Sequence, residues 1–428
     1  MNASDRAVAA FTALGHGTFH GFELSIPLFV PLWIAEFGVS ATVVGAVTGA
    51  SYALIGLLAP LSGAAADRWG SRRLVLLSIG GMGAAFAGLY LASTLAGVTL
   101  ALLAWGAAAS LYHPAGLSLI SRGADRRGTV LAVHGAGGNV GMVVGPLAVI
   151  LALTAAEWRA VAAALAVPAA VAVLVGLRVR IDRDGEGDRD GDGGGGRGDD
   201  ADGESEAERS AAAAAETPRG ALLALVADSR RLFAGGFLLV FAIQMVYGVY
   251  YRGAFTFLPD VLAGVPVFEP LTLGGRDLEA SRLAYTWLLL VGVAGQYAGG
   301  LASDRLSPER TLLAAFAGLA VVSVAFLPLS NAGVAPLLAV CALLGFFAYA
   351  VAPVAQTVVA RSVDEASHGL SFGFVYLGTF GVGALGALLA GAALDAGGSE
   401  ALFAGLTGVA MLAAALAGAL AVRTARSS

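Results

Sequence analysis

The sequence contains no lysine; all 25 of its basic residues are arginine. There is also no Walker-type phosphate-loop sequence, so ATP drive is not encoded in the chain. Cysteine occurs once, at Cys341 inside an apolar run, which excludes an internal disulfide and a cysteine-based metal centre. Charge is scarce as well. Only 13% of the residues are charged and 57% are hydrophobic, with a mean hydropathy of +0.79, whereas a soluble domain carries about 25% charged residues. That deficit excludes a large soluble helical bundle. The first apolar block is too long and too polar inside for a signal peptide, and it lacks a cleavage site. Glycine-rich tracts fall inside apolar blocks and not after strands, so no dinucleotide or phosphate loop is implied. The histidines show no metal-ligand spacing, and no Ser/His/Asp arrangement stands out. The expectation is a chain that is not an enzyme, with no cofactor, no metal and no nucleic-acid partner.

What the sequence has in abundance is apolar blocks of about 20 residues or more, each long enough to cross a hydrocarbon core of ~30 Å as a helix. Spans are expected at 7–34, 41–66, 74–95, 97–120, 128–153 and 158–177, then at 232–262, 283–302, 312–329, 334–360, 369–394 and 401–422. The net charge of −5 is local. Residues 182–208 hold twelve acids and three arginines, and removing them leaves 18 acids against 22 arginines. That Gly- and Asp-rich run cannot bury enough apolar surface to fold. Three segments follow: an N-terminal six-helix half (1–177), an acidic linker (178–231) and a C-terminal six-helix half (232–428). Within the linker, Leu222–Val226 reads as a short surface helix.

The arginines set the orientation. One set of loops, together with the linker, holds 21 of them, and Arg159, Arg252, Arg276 and Arg282 are the remainder. Without the nine of the linker region the balance is still 12 against 4, which places both termini and the linker in the cytoplasm of a cell-membrane protein.

The halves repeat each other. Gly63, Asp67, Arg68 and Arg73 recur as Gly300, Asp304, Arg305 and Arg310 at one offset of 237, and Gly128, Gly137 and Gly145 recur as Gly369, Gly378 and Gly386 at an offset of 241. Parallel duplication is a transporter architecture, with the solute path between the halves near the midplane. The run Gly63-Ala-Ala-Ala-Asp67-Arg68-Trp69-Gly70-Ser71-Arg72-Arg73 resembles the loop signature of the major facilitator superfamily. That resemblance implies twelve helices in two pseudo-symmetric halves and a cytoplasmic gate formed by Asp67 and Arg68, with Asp304 and Arg305 as a degenerate second copy. The plainer reading is that the arginines only set topology. Tyr112-His113-Pro114-Ala-Gly116, then Val133-His134-Gly-Ala-Gly137-Gly138-Asn139, and Gly145-Pro146 resemble helices four and five of fosmidomycin-resistance-type efflux proteins. The first helix departs from that pattern, reading His16-Gly-Thr-Phe-His20-Gly-Phe-Glu23, and the long acidic linker departs from it too.

Ionisable groups inside spans are costly unless paired or hydrated, so they mark candidate sites. His16, His20 and Glu23 fall four and three residues apart, on one helical face. A carboxyl with two imidazole neighbours suits proton exchange near neutral pH; the alternative is hydrogen-bonded structure near the two surfaces. His113 and His134 are further proton-coupling candidates, and Pro114 frees a backbone carbonyl. Tyr112 and Asn139 are cavity candidates, with Asn139 leaning to packing among glycines. In the seventh span Gln244, Tyr247, Tyr251 and Arg252 fall on neighbouring faces and suit an organic or anionic solute. Against that stands an interfacial belt with Arg252 snorkelling outward. Gln296, Gln356 and Tyr376 complete the cavity candidates. The function expected is secondary active transport, proton-coupled efflux of small organic compounds by alternating access, in a monomer embedded in the bilayer. An importer of a small anion or metabolite is the alternative, and a non-transporting membrane sensor or binding protein is the alternative of another class.

Overall fold

The computed structural model describes residues 1–178, 226–233, 237–266, 271–273, 276–278, 280–363 and 368–427. The acidic run and the Leu222–Val226 helix expected within the linker lie outside the described residues, apart from Val226.

The first six helices are α1 (Ala3–Phe37), α2 (Ala41–Trp69), α3 (Ser71–Gly88), α4 (Leu95–Gly123), α5 (Arg127–Leu153) and α6 (Trp158–Arg178). The second six are α7 (Leu238–Ala263), α8 (Ala280–Arg305), α9 (Pro308–Ser330), α10 (Val334–Ser362), α11 (368–396) and α12 (399–427). Among the described residues, ten stretches are long and apolar enough to cross a membrane. The last of these, Leu370–Arg426, is two helices joined at a break where Gly397 and Gly398 leave helical geometry, Gly398 with φ +63. Helix α8 spans 26 residues but is less apolar, and it completes the twelve.

Local chemistry fixes the ends. Asn2 caps α1, accepting from the Asp5 amide, while Asp5 accepts from the Asn2 amide, and Gly38 (φ +60) closes the other end in left-handed geometry. Ser40, Thr94 and Ser307 cap α2, α4 and α9. Helix α4 is interrupted at Leu111, between its segments Leu95–Ser110 and Tyr112–Gly123. Pro114 lies just beyond and cannot donate to the Ser110 carbonyl one turn back. Helix α11 contains a π-helical turn over Leu377–Val382. An all-helical chain was expected, yet Leu271–Leu273 and Arg276–Leu278 pair as a short antiparallel hairpin between α7 and α8. The alternation there is too brief to stand out against the apolar spans.

The two halves pack alike. Helix α1 packs on α5, α2 on α4 and α3 on α6; correspondingly α7 packs on α11, α8 on α10 and α9 on α12, the last pair stacking Phe326 on Phe403 at 4.3 Å. Glycine makes the closest of these contacts possible. A Cβ on Gly141 or Gly145 would strike the backbone of Gly17 or Gly21, and one on Gly386 would strike Val249 and Gly253. Without a hydrophobic drive between helices in lipid, such backbone approach supplies the packing attraction.

The halves meet along α2 and α11, where Gly45, Gly49 and Gly56 lie against the backbone of Ala387, Ala384 and Gly381. Helices α1 and α7, and α5 and α8, also touch. At the α2–α11 seam the contact is in the half of the bundle away from the termini. There the Ala41 and Thr42 amides donate to Asp395 at 3.0 and 2.8 Å, and the Thr42 hydroxyl also donates to it.

Candidate functional site

Helix α1 carries its polar groups as one connected line. His16 and His20 touch through their Nε2 atoms at 3.1 Å, and His20 Nδ1 lies 2.8 Å from Glu23 Oε2. The four- and three-residue spacing stacks these side chains over successive turns. The line then leaves its own half: Arg252 Nη2 of α7 donates to Glu23 Oε1 at 2.6 Å across 229 residues of sequence. Glu23 is 3% exposed and Arg252 4%, so Arg252 does not snorkel to the surface.

Aromatic faces surround the guanidinium. Its carbon sits 3.8 Å from the ring centre of Tyr52 on α2, 5.1 Å from Phe380 and 5.4 Å from Tyr251. The π turn of α11 contains Phe380, and π turns recur where a functional side chain must be re-aimed. Tyr52 also donates to the Glu23 carbonyl at 3.4 Å, and Tyr285 of α8 donates to the Leu24 carbonyl at 3.2 Å. A buried ion pair of this kind is costly to desolvate, and its close geometry and extra partners are what hold it.

Helices α4 and α5 close the other end of the line. The His134 carbonyl accepts from His16 Nδ1 at 3.0 Å, and the two rings stack at 4.1 Å and 11°. Tyr112 stacks on His16 at 5.9 Å and donates to the Thr12 carbonyl. His113 meets Phe19 edge-on at 4.5 Å and lies 5.3 Å from His16, 6.1 Å from His20 and 5.6 Å from Tyr376 between ring centres. All four intramembrane histidines thus converge. Sequence spacing indicated no metal-ligand set, yet one nitrogen from each of His16, His20 and His113 lies within 4.8 Å of the others, a grouping of the size that holds a metal ion. Two helices supply it, so no single-segment spacing reveals it.

Of the cavity candidates, Tyr247 is buried and donates to the Ala348 carbonyl at 3.0 Å, and the hydroxyls of Tyr251 and Tyr349 meet at 2.8 Å. Gln244 is buried with its Oε1 unpartnered, as is the Oε1 of half-buried Gln296. Asn139 is half-buried beside the α1–α5 seam, and Gln356 is exposed near the end of α10 that shares a face with the termini, apart from the polar line. Tyr52, Tyr285, Tyr349 and Phe380 complete the site without having stood out in the sequence. Each is one aromatic in an apolar span, and only the fold shows which face it takes.

In the signature loop, Gly70 (φ +86) makes the sharp turn between α2 and α3. Arg72 Nη2 donates to the Gly176 and Leu177 carbonyls at the end of α6, at 2.8 and 3.1 Å. The Asp67 side chain lies outside the described residues. Arg68, Arg73, Asp304 and Arg305 are exposed, and a Cβ on Gly63 would meet open space. The contacts of Arg72 thus stay within one half. An apolar groove of about 620 Å³ between α1, α5 and α6, lined by Leu14, Val140, Val144 and Pro168, lies beside the glycine seam and holds no charged group.

The family model of the Major Facilitator Superfamily matches residues 12–340 and 264–428. No curated protein sequence matches the chain. Solved structures resemble it over nearly their whole length at low identity. A bacterial homolog of the human lysosomal transporter Spinster, inward-facing and occupied, aligns with TM-score 0.69 at 16% identity, covering 97% of this chain and 96% of that one. The nucleoside transporter NupG aligns with TM-score 0.70 at 14% identity over 96% and 99%. A peptide transporter of the POT type in complex with sulfate aligns with TM-score 0.68 at 15% identity over 99% and 95%.

Proposed function

The chain belongs to the major facilitator superfamily of multi-pass membrane transporters, which are not enzymes, and from that premise we propose that it exports small organic solutes in exchange for protons by alternating access. The observation that carries this reading is the buried Glu23–Arg252 pair. It ties the two halves together at the centre of the bundle, and its carboxylate is continuous with a line of imidazoles. An unpaired carboxylate in that place would be costly, so Glu23 must hold either Arg252 or a proton. Protonation of Glu23 releases Arg252 and lets the halves part; loss of the proton restores the tie. The resemblance of helices four and five to fosmidomycin-resistance-type proteins supports the export direction.

The remaining assignments belong to the same reading. The protein sits in the cell membrane as a monomer with both termini and the 178–231 linker in the cytoplasm. Asp67 and Arg68 act at the cytoplasmic mouth, and the solute path runs past Tyr247, Tyr251 and Gln244. In proteoliposomes with an imposed pH gradient, Glu23→Gln abolishes pH-driven accumulation and spares downhill exchange of solute for solute, because the neutral side chain mimics the protonated form. Full pH-driven transport by that variant excludes Glu23 as the coupling group. The collar of Tyr52, Tyr251 and Phe380 around Arg252 favours a second reading, uptake of a small anion with Arg252 as its ligand. Under that reading transport of the anion is lost in Arg252→Gln and needs no pH gradient.

A further inference from the structure

The line of imidazoles has a feature that the ion pair alone does not explain. His16 Nδ1 faces the His134 backbone carbonyl, which can only accept, so that nitrogen carries its hydrogen. His20 Nδ1 faces the Glu23 carboxylate, which Arg252 holds in its ionised, acceptor-only form, so that nitrogen carries its hydrogen too. A neutral imidazole has only one N–H. With both Nδ1 positions occupied, neutral rings would point two bare Nε2 lone pairs at each other across 3.1 Å. That arrangement repels unless a positive species sits between them.

We propose that the His16–His20 contact is a proton-binding site, in which one proton is shared between the two Nε2 atoms and makes the pair a single cation. The proposal rests on the coupling function above and names the atoms where the proton resides. The surroundings suit one added charge. The ring of His134 lies parallel to His16 at 4.1 Å and Tyr112 at 5.9 Å, both offering π faces to an imidazolium. Glu23 lies at the far edge of His20, and its charge is already opposed by Arg252. The other titratable groups facing the pair or its carboxylate are His113 on α4, Tyr376 on α11 beside His113, and Tyr52 on α2 beside Glu23. A metal ion on the same nitrogens and His113 is the competing occupant. The proton is favoured because the two Nε2 atoms already stand at N–H···N hydrogen-bond distance, and because the nearest carboxylate is committed to Arg252.

Loss of the proton breaks the contact. His20 is then pushed from His16 and its hold on Glu23 changes with it, so the state of the pair is transmitted to the tie between the halves.

The test uses the full chain in lipid nanodiscs with ¹⁵N-labelled histidine, followed by NMR across pH after EDTA treatment. The expected result is one proton resonance correlated with two different Nε2 nitrogens, absent in His16→Gln and in His20→Gln and retained in His113→Gln. Glutamine places an amide nitrogen where Nε2 was but cannot take the charge. If His16→Gln does not fold, His16→Asn keeps a donor toward the His134 carbonyl, ends short of His20 and gives the same reading. In vesicles the His16 variant loses pH-driven accumulation to the same extent as Glu23→Gln. Three results overturn the proposal: no shared proton at any pH at which the protein is folded, a shared signal that survives His16→Gln, or one equivalent of Zn²⁺ in protein purified without EDTA that rebinds tightly, one to one, after EDTA has removed it. A shared proton in a protein without pH-driven flux leaves this site standing and removes the coupling function. PH-driven flux without the shared proton does the reverse.

Discussion

The two halves are built on one plan and filled with different chemistry. Around α1, α4 and α5 the core holds four imidazoles and a carboxylate. Around α7, α10 and α11 the corresponding core holds Tyr247, Tyr251, Tyr349 and Tyr376, with Arg252 as its one buried cation among the described residues. Imidazole exchanges protons near neutral pH, whereas phenol stays protonated there and offers a hydroxyl and a π face. The two halves thus share the pairing of their helices, with close backbone contact at the matched Gly145 and Gly386, while the groups between those helices differ. Under the proposed function one half carries the proton and the other grips the solute, and among the described residues the Glu23–Arg252 ion pair joins them. That division can be broken experimentally at several points.

The largest effect is expected at the joint. Arg252→Leu strands the Glu23 carboxylate in the core, a change that costs about 3–5 kcal/mol when a buried pair loses one member. Transport should be lost and thermal stability in detergent should fall sharply. Adding Glu23→Gln to Arg252→Leu should recover much of the stability and none of the pH-driven transport. A double variant no more stable than the single one would mean that the pair is not what makes the joint sensitive.

Next come the seams that the halves share. A Cβ at Gly141 collides with Gly17, and one at Gly386 collides with Val249 and Gly253. Overpacking of this kind costs about 1–3 kcal/mol, so Gly141→Ala and Gly386→Ala should lower the melting temperature by similar amounts. Gly128→Ala, where nothing lies within 4 Å, should be neutral or slightly stabilising. Similar losses at all three positions would show that helix flexibility, and not close approach, is being measured.

Much of the plan was legible in the sequence, and what was hidden has a physical reason. Apolar runs give spans because lipid demands them, and among the described residues each expected span overlaps an observed helix, with 234–236 of the seventh lying outside those residues. The boundary between α11 and α12 was visible as a break in hydropathy although no loop separates the two helices, only Gly397 and Gly398 out of helical geometry. The polar face of α1 could be read because its members are three and four residues apart. Its partner could not, because Arg252 is 229 residues away and the sequence left it equally suited to snorkelling. Of the glycine matches at offset 241, Gly145 and Gly386 sit at backbone contacts, Gly137 faces the Ala13 backbone and Gly378 faces Phe241 and Met245, while Gly128 touches nothing nearby. Repetition in sequence thus overstated repetition in packing. Asp395 went unnoticed altogether, since an acid at the end of an apolar run reads as a surface residue.

A smaller effect separates the two chemistries directly. Tyr251→Phe removes one hydroxyl from the Tyr251–Tyr349 pair, a loss of about 1 kcal/mol. If the C-terminal core grips the solute, KM should rise several-fold while the pH profile of transport stays where it was. A shifted profile with unchanged KM would erase the division of labour between the halves.

The smallest effect should come from Asp395, yet it tests the geometry of the whole cycle. Its carboxylate accepts the Ala41 and Thr42 amides and the Thr42 hydroxyl at the first turn of α2, so the end of α11 in one half caps a helix of the other. Within the described residues this contact lies on the face away from the termini, where the α2–α11 seam is shut. Exposure to water weakens it, since solvent and salt screen a surface charge. Removing it should therefore shift a population and not unfold the protein. Spin labels at Val43 and Glu400, measured by double electron–electron resonance, should show one short distance in the parent chain. In Asp395→Ala a longer component should appear at the expense of the short one, while Asp395→Asn, which still accepts from an amide, should lie between them. Identical distance distributions in all three proteins would show that the glycine seam alone holds this face closed.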